Sequence, residues 1–176
     1  GLHYALPTLN VGGTIYMKEA FDKENFWNDC RKYEITSSMV VPTMIATALG
    51  YEGEAPTLTK VVSLGASLAP ALKERLLTRF PNLGLYEMYG SSECGSCTWL
   101  LPQDQLRKPA SCGRAYGGQE ILVADDDGAV EVAALDEAGF LQHLHFMQEA
   151  EGAGGGNLFF VALFGDVEGG VLRAYG

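Results

Sequence analysis

The chain has 176 residues, 47% apolar and 19% charged, with 22 acidic against 12 basic side chains and a formal charge of −10. That length supports one domain with a sizeable core, and the composition is globular, not disordered. The acidic balance and the absence of a Lys/Arg cluster argue against nucleic acid or an anionic membrane as the main partner, but leave room for a small anionic ligand held by backbone N–H groups.

No apolar run approaches the ~20 residues of a membrane span, and no basic-then-apolar signal segment opens the chain. The first residue is Gly1 and not Met, so the sequence reads as an internal piece of a larger protein. Cys30, Cys94, Cys97 and Cys112 do not form a disulfide-like framework, which points to a reducing cytoplasm.

Residues 1–17 mix apolar residues with Gly12-Gly13 and end in the strand-like Thr14-Ile15-Tyr16-Met17, and Leu2 onward reads as buried structure. Asp22 is placed as a helix N-cap with Phe21 and Phe26 as a hydrophobic staple, and Phe26, Cys30 and Tyr33 recur at helical spacing, so a helix is predicted over 23–33. Residues 35–41 are rich in β-branched and small side chains and read as a strand. Pro42 then opens a helix that Gly50 closes. Residues 51–59 are a polar surface loop and 60–64 a short strand. Pro70 opens the next helix, with Leu72, Leu76, Leu77 and Phe80 inside and Lys73, Glu74, Arg75 and Arg79 outside. Pro81-Asn82 breaks it, and a strand follows over 85–89.

Strand, helix, strand, helix, strand in that order makes an α/β fold: a parallel sheet with helices on its faces. The loops Gly65-Ala66-Ser67 and Gly90-Ser91-Ser92-Glu93 then leave the carboxyl ends of successive strands, the edge at which open α/β sheets bind ligands. From Ser111 onward Gly-rich strands take over. A strand over 119–124, the turn Asp125-Asp126-Asp127-Gly128 and a return over 129–133 form a predicted β hairpin. Beyond Leu135 the signals blur, and 152–156 is nearly all glycine.

The run Tyr89-Gly90-Ser91-Ser92-Glu93 resembles the Tyr-Gly-x-Thr/Ser-Glu motif of the adenylate-forming superfamily. Val41-Pro42-Thr43-Met44 is similar to that family's Val-Pro-Thr segment, and Ser63-Leu64-Gly65-Ala66-Ser67-Leu68 to its Ser-Gly-Gly-Ala-Pro-Leu loop. Gly1-Leu2 and Gly12-Gly13-Thr14 resemble the stretch after its Phe-His element, and Ser111-Cys112-Gly113-Arg114 with Asp125-Asp126-Asp127-Gly128 its Ser-Val-Gly-Arg…Asp-x-x-Gly stretch. The resemblance covers 1–128, part of an AMP-binding domain, and leaves 129–176 as a divergent or poorly ordered tail.

It implies an acyl-CoA synthetase: a carboxylic acid attacks the α-phosphate of ATP, giving an acyl-adenylate and pyrophosphate, and coenzyme A then takes the acyl group. By the resemblance, Gly65, Ala66, Glu87, Met88 and Tyr89 line the adenine pocket, with Tyr89 against the ring. Ser67 and Gly90 belong to the same two nucleotide-facing loops. Ser92 reaches the α-phosphate, Glu93 holds Mg2+, and Asp166 in Phe164-Gly165-Asp166-Val167 grips the ribose. Ser92 and Glu93 are the implied catalytic pair. The family's phosphate loop and its catalytic lysine have no match in these 176 residues, so the segment alone is expected to activate no acid.

Two other classes compete. One is a non-catalytic nucleotide-binding or interaction module that retains the sheet. The other is a metal or redox protein built on Cys94-Gly95-Ser96-Cys97, for which Cys112 offers a third ligand and no second Cys-x-x-Cys a fourth. His143-x-His145 reads as surface, and Asp125-Asp126-Asp127-Gly128 as a solvated turn.

Overall fold

The computed structural model describes residues 2–91, 95–116, 120–124, 141–142 and 159–163. In chain order the elements are helix α1 (Leu2–Asn10), α2 (Phe26–Lys32), strand β1 (Ser37–Val40), α3 (Pro42–Ala48), β2 (Lys60–Leu64), α4 (Pro70–Arg79), β3 (Gly84–Ser91), β4 (Gly95–Leu100), a single 3-10 turn (Pro102–Asp104), β5 (Ser111–Ala115), β6 (Glu120–Ala124), β7 (Leu141–Gln142) and β8 (Phe159–Leu163). The main sheet runs β1-β2-β3-β4-β5-β7, and β6 pairs separately with β8.

The first half of the sheet is parallel, as its strand–helix alternation requires. β1 pairs with β2 and β2 with β3 in that sense, whereas β3–β4 and β4–β5 are antiparallel. Val61 and Leu85 lie opposite each other in register and join Trp27, Val40, Ile45, Leu58, Leu68 and Leu76 in one core beneath the helices. Ser63 and Glu87, two residues further along, share that face because side chains alternate along a strand. Tyr86 and Trp99 meet on the opposite face, ring centroids 6.3 Å apart.

Several expectations are revised. Leu2–Asn10, to which the pattern assigned no element, is a helix, and it ends where Gly12, at φ 75°, turns the chain and Gly13 N–H reaches Thr8 O at 2.8 Å. Leu6 and Leu9 on it and Val11 just after it are exposed, and the strand-like 14–17 forms no strand. β-propensity there finds no neighbouring strand to pair with. Asp22 does cap, but one turn early: its carboxylate accepts from Glu24 N–H and Asn25 N–H at 3.2 Å each, and α2 begins only at Phe26. Phe21 and Phe26 meet as the staple requires, at 5.6 Å. Gly50 ends α3 without a left-handed cap, its N–H bonding Thr47 O at 3.1 Å.

On α4, Lys73 and Arg79 are not outside. Lys73 is wholly buried. Arg79 donates to Tyr51 O at 2.9 Å and Gly53 O at 2.8 Å and lies over the Trp27 ring, closing the 51–59 loop onto the core. Of the expected 119–124/129–133 hairpin, β6 is present and pairs antiparallel with β8. The return at 129–133 and most of the expected tail lie outside the described residues. Among the described residues, no helix is long and apolar enough to cross a membrane.

Candidate functional site

β2 ends at Leu64, opposite Met88 of β3, so Gly65-Ala66-Ser67 leaves the sheet beside Tyr89 and Gly90. Gly65 adopts φ 82°, a left-handed turn that favours glycine, and Gly65, Ala66 and Ser67 are all exposed. The two backbone segments expected to flank a nucleotide therefore lie side by side at the carboxyl edge of the parallel strands.

The second segment is not the open loop that was expected. Gly90 and Ser91 remain in β3, paired with Ser96 and Gly95 of β4, after a bulge between Tyr89 and Gly90. A Cβ on Gly90 would run into the Gly95 carbonyl, with Ser96 Cα at 3.1 Å, so only glycine lets the strands approach this closely. Three residues, 92–94, then connect β3 to β4. Ser92 and Glu93 fall in that connection and, like Asp166, lie outside the described residues.

Glu87 does something the sequence did not reveal. Its side chain is turned to the core face, where one carboxylate oxygen pairs with Lys73 Nζ of α4 and the other accepts Leu68 N–H at 3.1 Å. Lys73 Nζ also donates to Pro109 O at 2.8 Å. Burial pushes the Glu87 carboxyl up from its ordinary value, while the Lys73 ammonium and the Leu68 N–H pull it back. Only its backbone is placed toward the crevice edge, so it differs from Met88 and Tyr89, whose side chains are partly exposed. The missed signal was Lys73 itself, which shares helical spacing with Leu76, Leu77 and Phe80.

Cys97 and Cys112 are both buried, and among the described residues no three His, Cys, Asp or Glu side chains gather as a metal site would require. A cavity of about 1030 Å3 opens along the outer edge of β1, lined by Tyr4, Tyr16, Phe26, Tyr33 and Met39 among others, but none of residues 65–67 or 87–90 reaches it.

The family model of AMP-binding enzymes matches residues 1–141. The chain belongs to the AMP-binding enzyme family. The match runs 13 residues past the limit at 128 that the motifs alone suggested (141 against 128). An uncharacterized acyl-CoA ligase of Bacillus subtilis is 34% identical over 129 residues, 72% of this chain and 26% of the relative. An oxalate–CoA ligase of Arabidopsis thaliana is 32% identical over 135 residues, again 72% of this chain and 26% of the relative. This AMP-binding segment thus spans about a quarter of the length of the curated relatives it matches.

Its fold is shared with the N-terminal domain of FACL13 from Mycobacterium tuberculosis, at TM-score 0.65 and 20% identity over 96% of this chain and 46% of that one. It is shared also with the o-succinylbenzoate CoA synthetase of Bacillus subtilis in complex with its acyl-adenylate, at TM-score 0.64 and 18% identity over 78% and 33%.

Proposed function

We propose that the protein carrying this AMP-binding segment is an ATP-dependent carboxylate-activating ligase of the acyl-CoA synthetase type. A carboxylate oxygen attacks the α-phosphorus of ATP and pyrophosphate leaves. The thiol sulfur of coenzyme A then attacks the acyl carbonyl and AMP leaves. The observation that carries the reading is the adjacency of Gly65-Ala66-Ser67 and Met88-Tyr89-Gly90 at the carboxyl edge of parallel strands in a chain of this family.

In this reading the backbone at Gly65, Ala66 and Ser67 forms one wall against the adenine, and Glu87 (by its backbone), Met88 and Tyr89 form the other. Gly90 allows the tight strand pairing that presents Ser91 and the connection beyond. Ser92 donates its hydroxyl to the α-phosphate, and Asp166 accepts from the ribose hydroxyls. The donor set near the phosphates, one carboxylate (Glu93) among serine hydroxyls, fits a magnesium ion carried largely by nucleotide oxygens and not by a protein cage. Bound there, the ion would offset charge developing on the phosphate. Residues 1–128, carried on to 141 by the family match, form part of the AMP-binding domain, and the remainder is a divergent extension. The free, buried thiol of Cys30 supports a cytoplasmic setting.

The test is pyrophosphate release by the full-length protein on addition of ATP, Mg2+ and a panel of carboxylic acids, with coenzyme A omitted and then added. Acid-dependent release is expected, and Glu93→Gln should lower it by ~10²-fold, as removal of other electrostatic stabilisers does. ATP binding without acid-dependent release would instead identify a nucleotide-binding module without ligase chemistry.

A further inference from the structure

We propose that Glu87, held by Lys73, is a positioning residue that sets the spacing between the two walls of the nucleotide site; this rests on the ligase reading above. The two walls belong to different elements. Gly65-Ala66-Ser67 follows β2, whereas Met88-Tyr89-Gly90 is strand β3. In a sheet, the strands themselves are fixed by their ladder, but an exposed loop that has left the ladder is not. Ladder pairing between β2 and β3 stops at Leu64 and Met88, one residue before the loop starts.

What ties the loop down is Leu68. Its side chain is wholly buried, and its N–H donates to the Glu87 carboxylate at 3.1 Å. Glu87 lies two residues before Tyr89, so the bond runs directly from the far end of one wall to the base of the other. The carboxylate is itself fixed by Lys73 Nζ, which reaches across to Pro109 O in the segment before β5. A carboxylate placed in a core costs heavily unless it is paired and hydrogen-bonded, and a purely structural core would be served as well by apolar side chains. Here the paired charge sits behind the loop that faces the ligand. The Glu87 carboxylate thus acts on the base through Leu68, from behind the wall that its own backbone helps to form, and does not touch the base.

The inference separates hydrogen-bond tethering from mere packing by comparing two charge-neutral double variants of the full-length protein. Lys73→Met/Glu87→Gln removes both charges but keeps an amide oxygen for Leu68 N–H. Lys73→Met/Glu87→Met removes the acceptor as well. The second should raise the KM for ATP about tenfold or more, the effect of losing a buried hydrogen bond to a charged acceptor, while the KM for the acid stays nearly constant. The first should raise the KM for ATP far less. Amide hydrogen exchange at Leu68 should quicken in the Met/Met variant and stay slow in the Met/Gln variant.

A packing role alone would lower the melting temperature of both variants without separating the two KM values. Equal KM values for ATP in the two variants, or unchanged Leu68 exchange in the Met/Met variant, overturn the inference. Failure of the ligase reading is distinguishable. In that case wild type itself releases no pyrophosphate with any acid, whatever the variants do.

Discussion

Gly90→Ala should separate the cost of folding from the cost of chemistry. The Cβ it introduces would meet Gly95 O far inside the 3.0 Å that real Cβ atoms keep, with Gly95 C at 2.9 Å and Ser96 Cα at 3.1 Å. All three are backbone atoms of β4, so no side chain can rotate away. β3 and β4 must instead part at the bulge by on the order of 1 Å, and overpacking of this kind costs about 1–3 kcal/mol. The connection 92–94 is anchored at both ends to those strands and must move with them. In the ligase reading this connection carries Ser92 and Glu93, and a displacement of about 1 Å near reacting groups would cost ~10²-fold in rate. Gly95→Ala is the control: Gly95 sits at φ 70°, and among the described residues no atom lies within 4 Å of where its Cβ would stand. It should therefore show only the left-handed backbone penalty of about 1–2 kcal/mol. Urea unfolding and acid-dependent pyrophosphate release on the full-length protein read the two costs. A Gly90→Ala variant with wild-type midpoint and rate would refute the close-approach argument, whatever Gly95→Ala does.

Two further outcomes follow from buried titratable groups. Burial pushes the Cys30 and Cys112 thiols up to about 11. Their folded values lie above the unfolded value, so the stability they contribute is complete below pH ~8.5 and is lost as pH rises through 11; alkylation of both by iodoacetamide should stay slow at pH 8 and thermal unfolding should shift down between pH 9 and 11. Lys73→Met leaves Glu87 charged, buried and without its cation, a loss of about 3–5 kcal/mol at neutral pH. With its pKa raised further by burial alone, Glu87 costs least when protonated, so the deficit against wild type should shrink as pH falls from 7 toward 5 and widen again on return; a pH-independent deficit would rule this out.

The parallel half of the fold was legible because its signals are local. Pro42 and Pro70 stand at the first positions of α3 and α4, and short β-branched runs lie between them. These fix alternation, and alternation fixes parallel pairing. The first antiparallel strand, β4, was not. It opens on Gly95-Ser96, which carry little β-propensity, and it becomes a strand because β3 offers an open edge to pair with and Thr98 fixes it to Cys112 O at 2.6 Å. α1 was missed because Pro7 interrupts its pattern, yet a nine-residue helix forms around it. Strand alternation placed Gly65, Tyr89 and Gly90 at one edge of the sheet, where the β2–β3 register also has them. It could not show which way Glu87 faces, because a carboxylate at an inward strand position is intelligible only once its cation, Lys73, is known to be inward too.

The antiparallel return of β4 also bears on where charge stabilisation must originate. Many α/β sites seat a phosphate on the N-terminus of a helix that follows the strand, using its free N–H groups and dipole. Here β3 runs through Ser91 and β4 begins at Gly95, so the motif joins two antiparallel strands and opens no helix. Among the described residues, the element that follows β3 therefore offers this connection no helix end. A serine hydroxyl supplies one neutral hydrogen bond, a net ~0.5–1.5 kcal/mol. That is small beside the ~3–4 kcal/mol that a single well-placed electrostatic stabiliser contributes in a transition state. In the proposed reading a larger share falls to Glu93 and the cation it would hold. Ser92→Ala should consequently cost the ligase less than Glu93→Gln. The opposite order, measured as pyrophosphate release at saturating Mg2+, would return the phosphate to the hydroxyl and leave Glu93 as a solvated residue of a hairpin turn.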